Sequence, residues 1–505
     1  MSFYVTTPIY YVNAAPHLGH AYTAIAADVL ARHMRQRGEE VFFLTGTDEH
    51  GEPVALAAEA QGKTPQELVD ENAPRFRDLM PRLNVSNDFF VRTSDPEHKA
   101  CVQEILTRVK DNGYVELGTY EGWYCPRCAD FKTESEIAEG NTCPIHKIAL
   151  VRESEENWFF KLSAFQEPLE KLFADNPDFV RPRHRFNEAH AFLSQGLQDV
   201  SLSRGKLTWG VEVPWDPEHV FYVWFDALLN YVTALSYARP GDDLTERFWP
   251  AQIQLIGKDI LKFHTIYWPA LLMAAGLELP EHVVVHGFLL MRDADGTEHK
   301  MSKSLGNVLD PFQIIDDFGA DALRYYCLRE VRFGQDGAVS TSGFAARYEG
   351  ELANEFGNLA SRTTAMIHRY RDGEVPAIQP DHAIAQELDP LAAQIEELID
   401  ASELTQALDV AWTAVRRLNR YVEEQAPWAL AKDDSNAAQL DLVLATLADG
   451  LRLIGVLLHP WLPASVEKLF AAIGVDDLAL STARLQPGLV TRVERIAPLF
   501  PKPQD

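Results

Sequence analysis

Several things are scarce in this sequence, and each scarcity excludes something. Its 505 residues contain no apolar run near the roughly 18 residues that a membrane-spanning helix needs, so no part is expected to cross a membrane. The opening MSFYVTTPIYYV lacks a basic stretch followed by an apolar core and a cleavage site, and it reads as a strand of a cytoplasmic protein. Only five cysteines are present, too few and too clustered for a disulfide framework; three fall between residues 125 and 143, which points to a metal. Positive charge is also short. With 46 Lys and Arg against 74 Asp and Glu the net charge is -28, an obstacle to any partner held through its phosphates. The distribution softens that objection: no Lys or Arg lies between Arg371 and Arg416, whereas Arg362, Arg369, Arg371, Arg416, Arg417 and Arg420 crowd the edges of the gap. A basic stripe beside an acidic outer face fits this, and so do ordinary solvated helix faces of both signs. There is no internal repeat and no low-complexity tract.

The length exceeds what one hydrophobic core serves, so two to four domains are expected. The β-rich SFYVTTPIYY is followed by HLGHAYTAIAADVLARHMRQRG, with apolar residues at Leu18, Tyr22, Ile25 and Val29 at helical spacing and a stop at Gly38, and then by the apolar run Val41 to Leu44. Strand, helix and fully apolar strand describe a βαβ unit of a doubly wound (Rossmann-type) α/β fold. Ligands of such folds sit beyond the carboxyl ends of the strands, where HLGH and TGTDEHG fall. From about Tyr114 to Val211 the pattern breaks into short strands, turns and the cysteine cluster, then alternation resumes in HVFYVWFDALLNYV, QIQLIGKD and EHVVVHGFLLM. The rest is helical, with periodic segments at Ala345 to His368, Ala383 to Ile399, Ser402 to Glu423 and Gln439 to Leu458. The expected architecture is a parallel-sheet domain split by an insertion and followed by an all-α bundle.

His17 and His20 stand three apart in the first turn of a helix, so both rings face one way, beside backbone N–H groups that favour anions; Gly19 admits a flat base or ribose close to the backbone. That suits ATP, although alone the tetrapeptide fits equally well an ordinary helix start. KMSKS, Lys300 to Ser304, follows a DADG turn that predicts a hairpin leading into a mobile segment. Its lysines suit a triphosphate whose leaving pyrophosphate gains charge, although a solvated basic loop has the same composition. In the insertion, CPRC at Cys125 to Cys128 and CPIH at Cys143 to His146 are separated by fourteen residues. Three thiolates and an imidazole from two tight turns satisfy tetrahedral Zn²⁺ and leave no open position for water, so one structural zinc per chain is expected.

HLGH and KMSKS in this order resemble the signature of class I aminoacyl-tRNA synthetases. The stretches TPIYYVNAAPHLGH, FLTGTDEHGEP, YVWFDALLNY, IGKDILKFH and DPFQIIDDFGADALRYY, across residues 1 to about 330, are similar to the methionyl-tRNA synthetase family. The resemblance implies ATP-dependent ligation of L-methionine to tRNA(Met) through methionyl adenylate, with Mg²⁺ accompanying ATP. It implies ATP binding and catalysis by His17, Gly19, His20, Lys300 and Lys303. It gives the methionine ammonium to Asp48 and the side-chain pocket to Ile9, Trp224, Ala227, Leu228, Tyr231, Phe263 and His264. Asn358, Arg362 and Trp428 match positions that read the CAU anticodon, and an amide, a guanidinium and an indole do suit unstacked loop bases. A single four-ligand zinc knuckle is one of the forms known for this family's insertion. The implied domains are residues 1–113 and 216–290 for the two catalytic halves, 114–215 for the connective insertion, 291–345 for the KMSKS loop and stem-contact region, and 346–505 for the anticodon-binding bundle. The sequence stops without the appended β-barrel through which many members dimerise, so a monomer is expected. The alternatives are a class I enzyme for another amino acid, a nucleotidylyltransferase using HxGH, and an idle tRNA-binding relative. Against them stand an insertion too short for an editing domain, a closed zinc set, the helical bundle, and the intact motifs.

Overall fold

A computed structural model describes residues 2–126, 130–132, 137–292, 298–300 and 310–501. Its centre is a 7-stranded sheet of β1 (Ser2–Thr6), β2 (Tyr10–Tyr11), β3 (Glu40–Asp48), β4 (Phe89–Arg92), β5 (Val180–Arg181), β6 (Ile253–Gly257) and β7 (His282–His286). All pairings are parallel. Leu44 pairs with both Thr6 and Phe89, so β1 and β4 flank β3 on opposite sides, and β1 continues through β6 and β7 to β5. Every residue of β3 after Glu40 is buried, as an unbroken apolar strand covered on both faces requires. The chain leaves β1 toward β3 and later returns on its other side at β6. That reversal opens a crevice at the carboxyl ends of β1 and β6.

Helix α1 (Leu18–Gln36) follows β2 and is buried along most of its length, held between the sheet and the helical half of the molecule. One hydrophobic cluster runs from α1 through α3 (Ala320–Glu330) into the bundle, and includes Trp412 and Trp461; a second covers the other face of the sheet with α2 (Val223–Tyr237). At the junction Arg324 is fully buried. It donates to the Asp28 carboxylate of α1 at 2.7 Å and to the carbonyls of Pro460 at 2.6 Å and Trp461 at 3.0 Å, so its charge is both paired and hydrogen-bonded.

The interval 114–215 is not wholly outside the sheet. Val115–Cys125 and Val151–Phe160 form a long antiparallel pair, but the chain then returns to supply edge strand β5. A two-residue strand carries no readable periodicity, which is why the sequence does not announce it. The bundle contains α4 (Asn358–Arg371), α5 (Leu404–Gln425) and α6 (Ala437–Leu458). The helix expected over Ala383 to Ile399 is two, His382–Leu388 and Leu391–Asp400, because Pro390 cannot continue the ladder of the first. Two stretches widen to π-helical turns, Phe263–Tyr267 and Tyr348–Gly357, and each contains or leads directly into a predicted site residue. Among the described residues no helix is long and apolar enough to cross a membrane.

Candidate active site

HLGH forms the cap of α1. His17 is the N-cap: its Nδ1 accepts the Gly19 N–H at 3.0 Å, while the Nδ1 of His20 accepts the His17 N–H at 3.1 Å. Two imidazoles therefore make the reciprocal capping box usually built from Ser or Thr and Glu. A ring nitrogen that accepts a backbone N–H carries no proton, so each neutral ring bears its hydrogen on Nε2 and is a donor there. The rings stack with centroids 3.8 Å apart. Gly19 has a further role: a Cβ there would lie 2.9 Å from Cε1 of His17.

At the end of β3, each residue of the Asp48, Glu49, His50 triplet is held differently. Glu49 takes both nitrogens of the Arg92 fork, at 2.7 and 2.9 Å, and Thr47 Oγ1 at 2.7 Å. Its carbonyl accepts the Trp209 indole N–H at 2.6 Å. His50 Nδ1 meets Asp226 of α2 at 2.6 Å. Asp48 is 3% exposed, and its Oδ1 has no hydrogen-bond partner among the described residues. Burial above all, then the charges of Asp226 and Glu49, push its carboxyl well above the usual carboxylate range. A buried carboxylate with an unmet oxygen is strongly biased toward a cation.

Asp48 lines a cavity of about 450 Å³ together with Ile9, His17, Gly19, His20, Trp224, Ala227, Leu228, Tyr231 and His264. Trp224 stacks on Phe263 at 3.7 Å with the planes 10° apart. The Tyr231 hydroxyl meets Nε2 of His264 at 2.7 Å and Nδ1 of His264 meets the Ile260 carbonyl at 3.1 Å. A carbonyl accepts only, so Nδ1 carries the proton and Nε2 accepts from the tyrosine. Burial lowers the His264 pKa to about 4, which keeps the ring neutral near pH 7. The result is a largely apolar, aromatic slot with a carboxyl group at one end. The sequence reading missed Tyr11, edge-on to Trp224 at 6.3 Å, and Gly257, Asp259 and His286 on the cavity wall. The last three follow or end β6 and β7, and strand-end position was the signal that could have found them.

The predicted metal ligands Cys125, Cys143 and His146 converge, with Nδ1 of His146 3.9 Å from the Cys125 sulfur and 3.8 Å from that of Cys143. Tetrahedral zinc with ordinary bond lengths separates an S and an N ligand by about 3.6 Å, so the three fit that ion. The fourth predicted ligand, Cys128, lies outside the described residues. His146 also lines the cavity, bringing the knuckle to the mouth of the site. Lys300 ends a strand, Glu298–Lys300, that pairs antiparallel with Leu289–Arg292, the expected hairpin, beside the cavity residues Phe288 and Leu289. Lys303 lies outside the described residues.

In the bundle, Asn358 is exposed at the start of α4, and the Arg362 guanidinium lies 5.6 Å from the Trp428 ring centre, with Trp428 39% exposed. Four of the six flanking arginines are ion-paired: Arg362 with Glu423, Arg371 with Asp441, Arg416 with Glu351 and Glu355, and Arg417 with Glu387 and Glu424. Apart from Glu424, which shares α5 with Arg417, these acidic partners come from other helices, a pairing that a linear charge count does not show.

Two family profiles match the chain: tRNA synthetases class I (M) over residues 3–154 and 140–364, and the anticodon binding domain of methionyl tRNA ligase over residues 374–492. The chain belongs to the class I methionyl-tRNA synthetase family. A methionine–tRNA ligase of Caldanaerobacter subterraneus subsp. tengcongensis is 43% identical over 99% of this chain and 79% of its own length, and that of Bacillus subtilis is 41% identical over 99% and 78%. The Mycobacterium tuberculosis methionyl-tRNA synthetase in complex with methionyl-adenylate superposes with a TM-score of 0.93 at 39% identity, covering 99% of this chain and 100% of that one. The free-state structure of the same enzyme superposes with a TM-score of 0.86 at 36% identity over 100% and 98%. The doubly wound catalytic sheet and the helical anticodon-binding domain expected from the sequence are both present.

Proposed function

We propose that the cavity activates L-methionine with ATP and that the chain then esterifies tRNA(Met), releasing AMP and diphosphate. The observation that carries this reading is Asp48: a buried carboxylate oxygen without a partner among the described residues, at one end of a cavity whose other end is an aromatic, apolar slot. An amino acid with an ammonium group and a polarizable thioether fits both ends. Its carboxylate oxygen attacks the α-phosphorus in line, the bond to the β-phosphate bridge oxygen breaks, and pyrophosphate leaves with the electron pair. A hydroxyl of the terminal ribose of tRNA then attacks the acyl carbon; the bond to AMP breaks and the hydroxyl proton is lost.

His17 and His20 donate through Nε2–H to phosphoryl oxygens beside the N-terminus of α1, with Gly19 giving the nucleotide access to the backbone. Lys300 and Lys303 stabilise the charge gathering on pyrophosphate. Ile9, Trp224, Ala227, Leu228, Tyr231, Phe263 and His264 enclose the side chain. Magnesium, bound with ATP, neutralises phosphate charge. A zinc ion held by Cys125, Cys128, Cys143 and His146 stabilises the knuckle without taking part in the chemistry.

Asn358, Arg362 and Trp428 receive the anticodon, supported by the exposure of Asn358 and Trp428 and by the contact of the Arg362 guanidinium with the Trp428 ring. We assign residues 1–113 and 216–290 to the catalytic domain, 114–215 to the insertion, 291–345 to the KMSKS and stem-contact region and 346–505 to the bundle, in a cytoplasmic monomer. Methionine-dependent exchange of pyrophosphate into ATP tests the reaction. Absence of exchange by the purified chain overturns the reading, and unaltered exchange by Lys303→Ala removes that lysine from it.

A further inference from the structure

Beneath the cavity lies a fully buried cluster that none of the steps above uses. Asp226, 0% exposed, has Oδ2 2.6 Å from Nδ1 of His50 and Oδ1 2.8 Å from Nε2 of His98, and Nδ1 of His98 is 2.7 Å from Thr233 Oγ1. Burial alone would raise the Asp226 carboxyl; the two imidazoles more than offset it and hold it well below the usual range, so a full negative charge sits in the core. That charge is felt at Asp48, where it opposes ionisation. A buried ionised group bridging two histidines is costly to assemble, and three elements converge on it: the end of β3, the helix Pro96–Asp111 that carries His98, and α2.

The placement of its partners suggests what the cluster does. His50 is two residues beyond Asp48, the ammonium anchor. Asp226 sits on α2 between Trp224 and Ala227, two residues that line the cavity, yet it does not line the cavity itself. Thr233 lies two turns further along the same helix, so α2 is gripped at two points, by His50 at its start and by His98 along its length. The two halves of the recognition site, one on β3 and one on α2, belong to segments 176 residues apart, and this carboxylate links them by hydrogen bonds beside the packing of Val223 against Gly51.

Resting on the assignment of the cavity to methionine, we propose that Asp226 is a positioning residue that fixes the span between Asp48 and the thioether slot and so selects amino acids by side-chain length. It touches neither substrate nor reacting atoms. Removing its charge leaves His50 without its anionic partner, lets the end of β3 and α2 move relative to one another, and relaxes the span in both directions.

The test is ATP–pyrophosphate exchange by wild type and Asp226→Asn with methionine, homocysteine and ethionine, which differ in length at the sulfur end. The expected result is a rise of about tenfold in KM for methionine, KM for ATP changing by less than about twofold, and a shift of at least about fivefold in the ethionine-to-methionine ratio of kcat/KM. A folded variant whose ratios among the three amino acids match wild type, or whose KM for ATP rises in parallel, overturns the proposal. Should Asp226→Asn fail to fold, Thr233→Val decides: it removes only the last hydrogen bond of the chain. It is expected to shift the same ratio in the same direction by a smaller factor, and unchanged ratios overturn the proposal. Wild type inactive with methionine would instead overturn the functional reading beneath it.

Discussion

His17 and His20 cap the helix they belong to, each ring's Nδ1 holding a backbone N–H of the first turn, at 3.0 and 3.1 Å. The bond that stabilises α1 thus also fixes which nitrogen faces the ligand as a donor. Capping and catalysis are therefore separable by substitution. His17→Asn supplies a side-chain oxygen at a position where Asn caps as well as any residue, so stability should stay within about 0.5 kcal/mol of wild type. Exchange should fall by roughly 10²–10³, the usual loss when one donor to a developing anion is removed. His17→Ala should show the same loss of exchange plus about 1 kcal/mol of destabilisation. Urea melts beside exchange rates check both, and equal activity of His17→Asn and wild type would remove the ring from the chemistry.

Asp48→Asn should make the unliganded protein more stable near neutral pH while abolishing its response to methionine. Burial first, then Asp226 and Glu49, raise the folded-state pKa of Asp48 above its unfolded value. The native state therefore holds the proton longer. The stability this contributes is complete below the unfolded value of about 4 and is lost as pH rises through the elevated folded value, leaving an uncompensated carboxylate above it. Asparagine removes that loss. Thermal melts at pH 7 should show a higher midpoint for the variant without methionine, and a methionine-induced rise in wild type only.

Three buried histidines should govern the acid limb of stability. Burial lowers His264 and His33 to about 4, the second helped by Arg37, and lowers His459 to about 3, helped by Arg32 and Arg324. Unfolded histidine titrates near 6.5, so the denatured state takes up protons that the native state refuses. Stability present above about pH 6.5 is lost as pH falls through 4, at up to about 1.4 kcal/mol per pH unit for each ring. Asp48, whose folded-state carboxyl is raised by burial, contributes with the opposite sign above about pH 4, so single variants isolate the terms. His459→Gln should reduce the slope of unfolding free energy between pH 6.5 and 4 by about one proton, and an unchanged slope would show that His459 does not titrate there.

What the sequence disclosed and what it hid divide along contact distance. HLGH, TGTDEHG and the two halves of the knuckle are local patterns, readable because each is set within one turn of backbone. Val41 to Leu44 announced a strand buried on both faces by being apolar throughout. By contrast the partner of His50 is 176 residues away, and Arg324 reaches Pro460 across 136. Nothing in a linear pattern links such residues. Within YVWFDALLNY and DALRYY, neither Asp226 nor Arg324 stands in a local pattern that marks it as buried and paired. The knuckle's approach to the cavity through His146 was hidden for the same reason: the spacing of ligands specifies a metal, but only the packing of the insertion specifies where it sits.

Removing the metal should therefore be felt at the active site. With Cys125, Cys143 and His146 spaced for zinc and His146 on the cavity wall, chelation or Cys143→Ser should lower the zinc content from one per chain toward zero and lower the thermal midpoint. Exchange should fall and be restored by zinc. Full exchange in a zinc-free protein would confine the ion to the insertion.

The anticodon assignment predicts a separation between the two half-reactions. Arg362 lies over Trp428, and neither residue lines the cavity. Base stacking on an aromatic side chain contributes about 1–3 kcal/mol per base, so Trp428→Ala should weaken tRNA use by roughly 5- to 150-fold. The loss should appear in KM for tRNA(Met) during aminoacylation. Exchange requires no tRNA and should stay within about twofold of wild type. Arg362 adds a refinement, because its guanidinium is also held by Glu423 at 2.8 Å. Binding a base edge must loosen that pair, so Glu423→Gln frees the guanidinium and should lower KM for tRNA, whereas Arg362→Ala raises it. Opposite signs from two residues of one ion pair are what recognition by the arginine requires; a pair that only braced the bundle would give destabilisation from both, visible in melting and without a change of sign in KM.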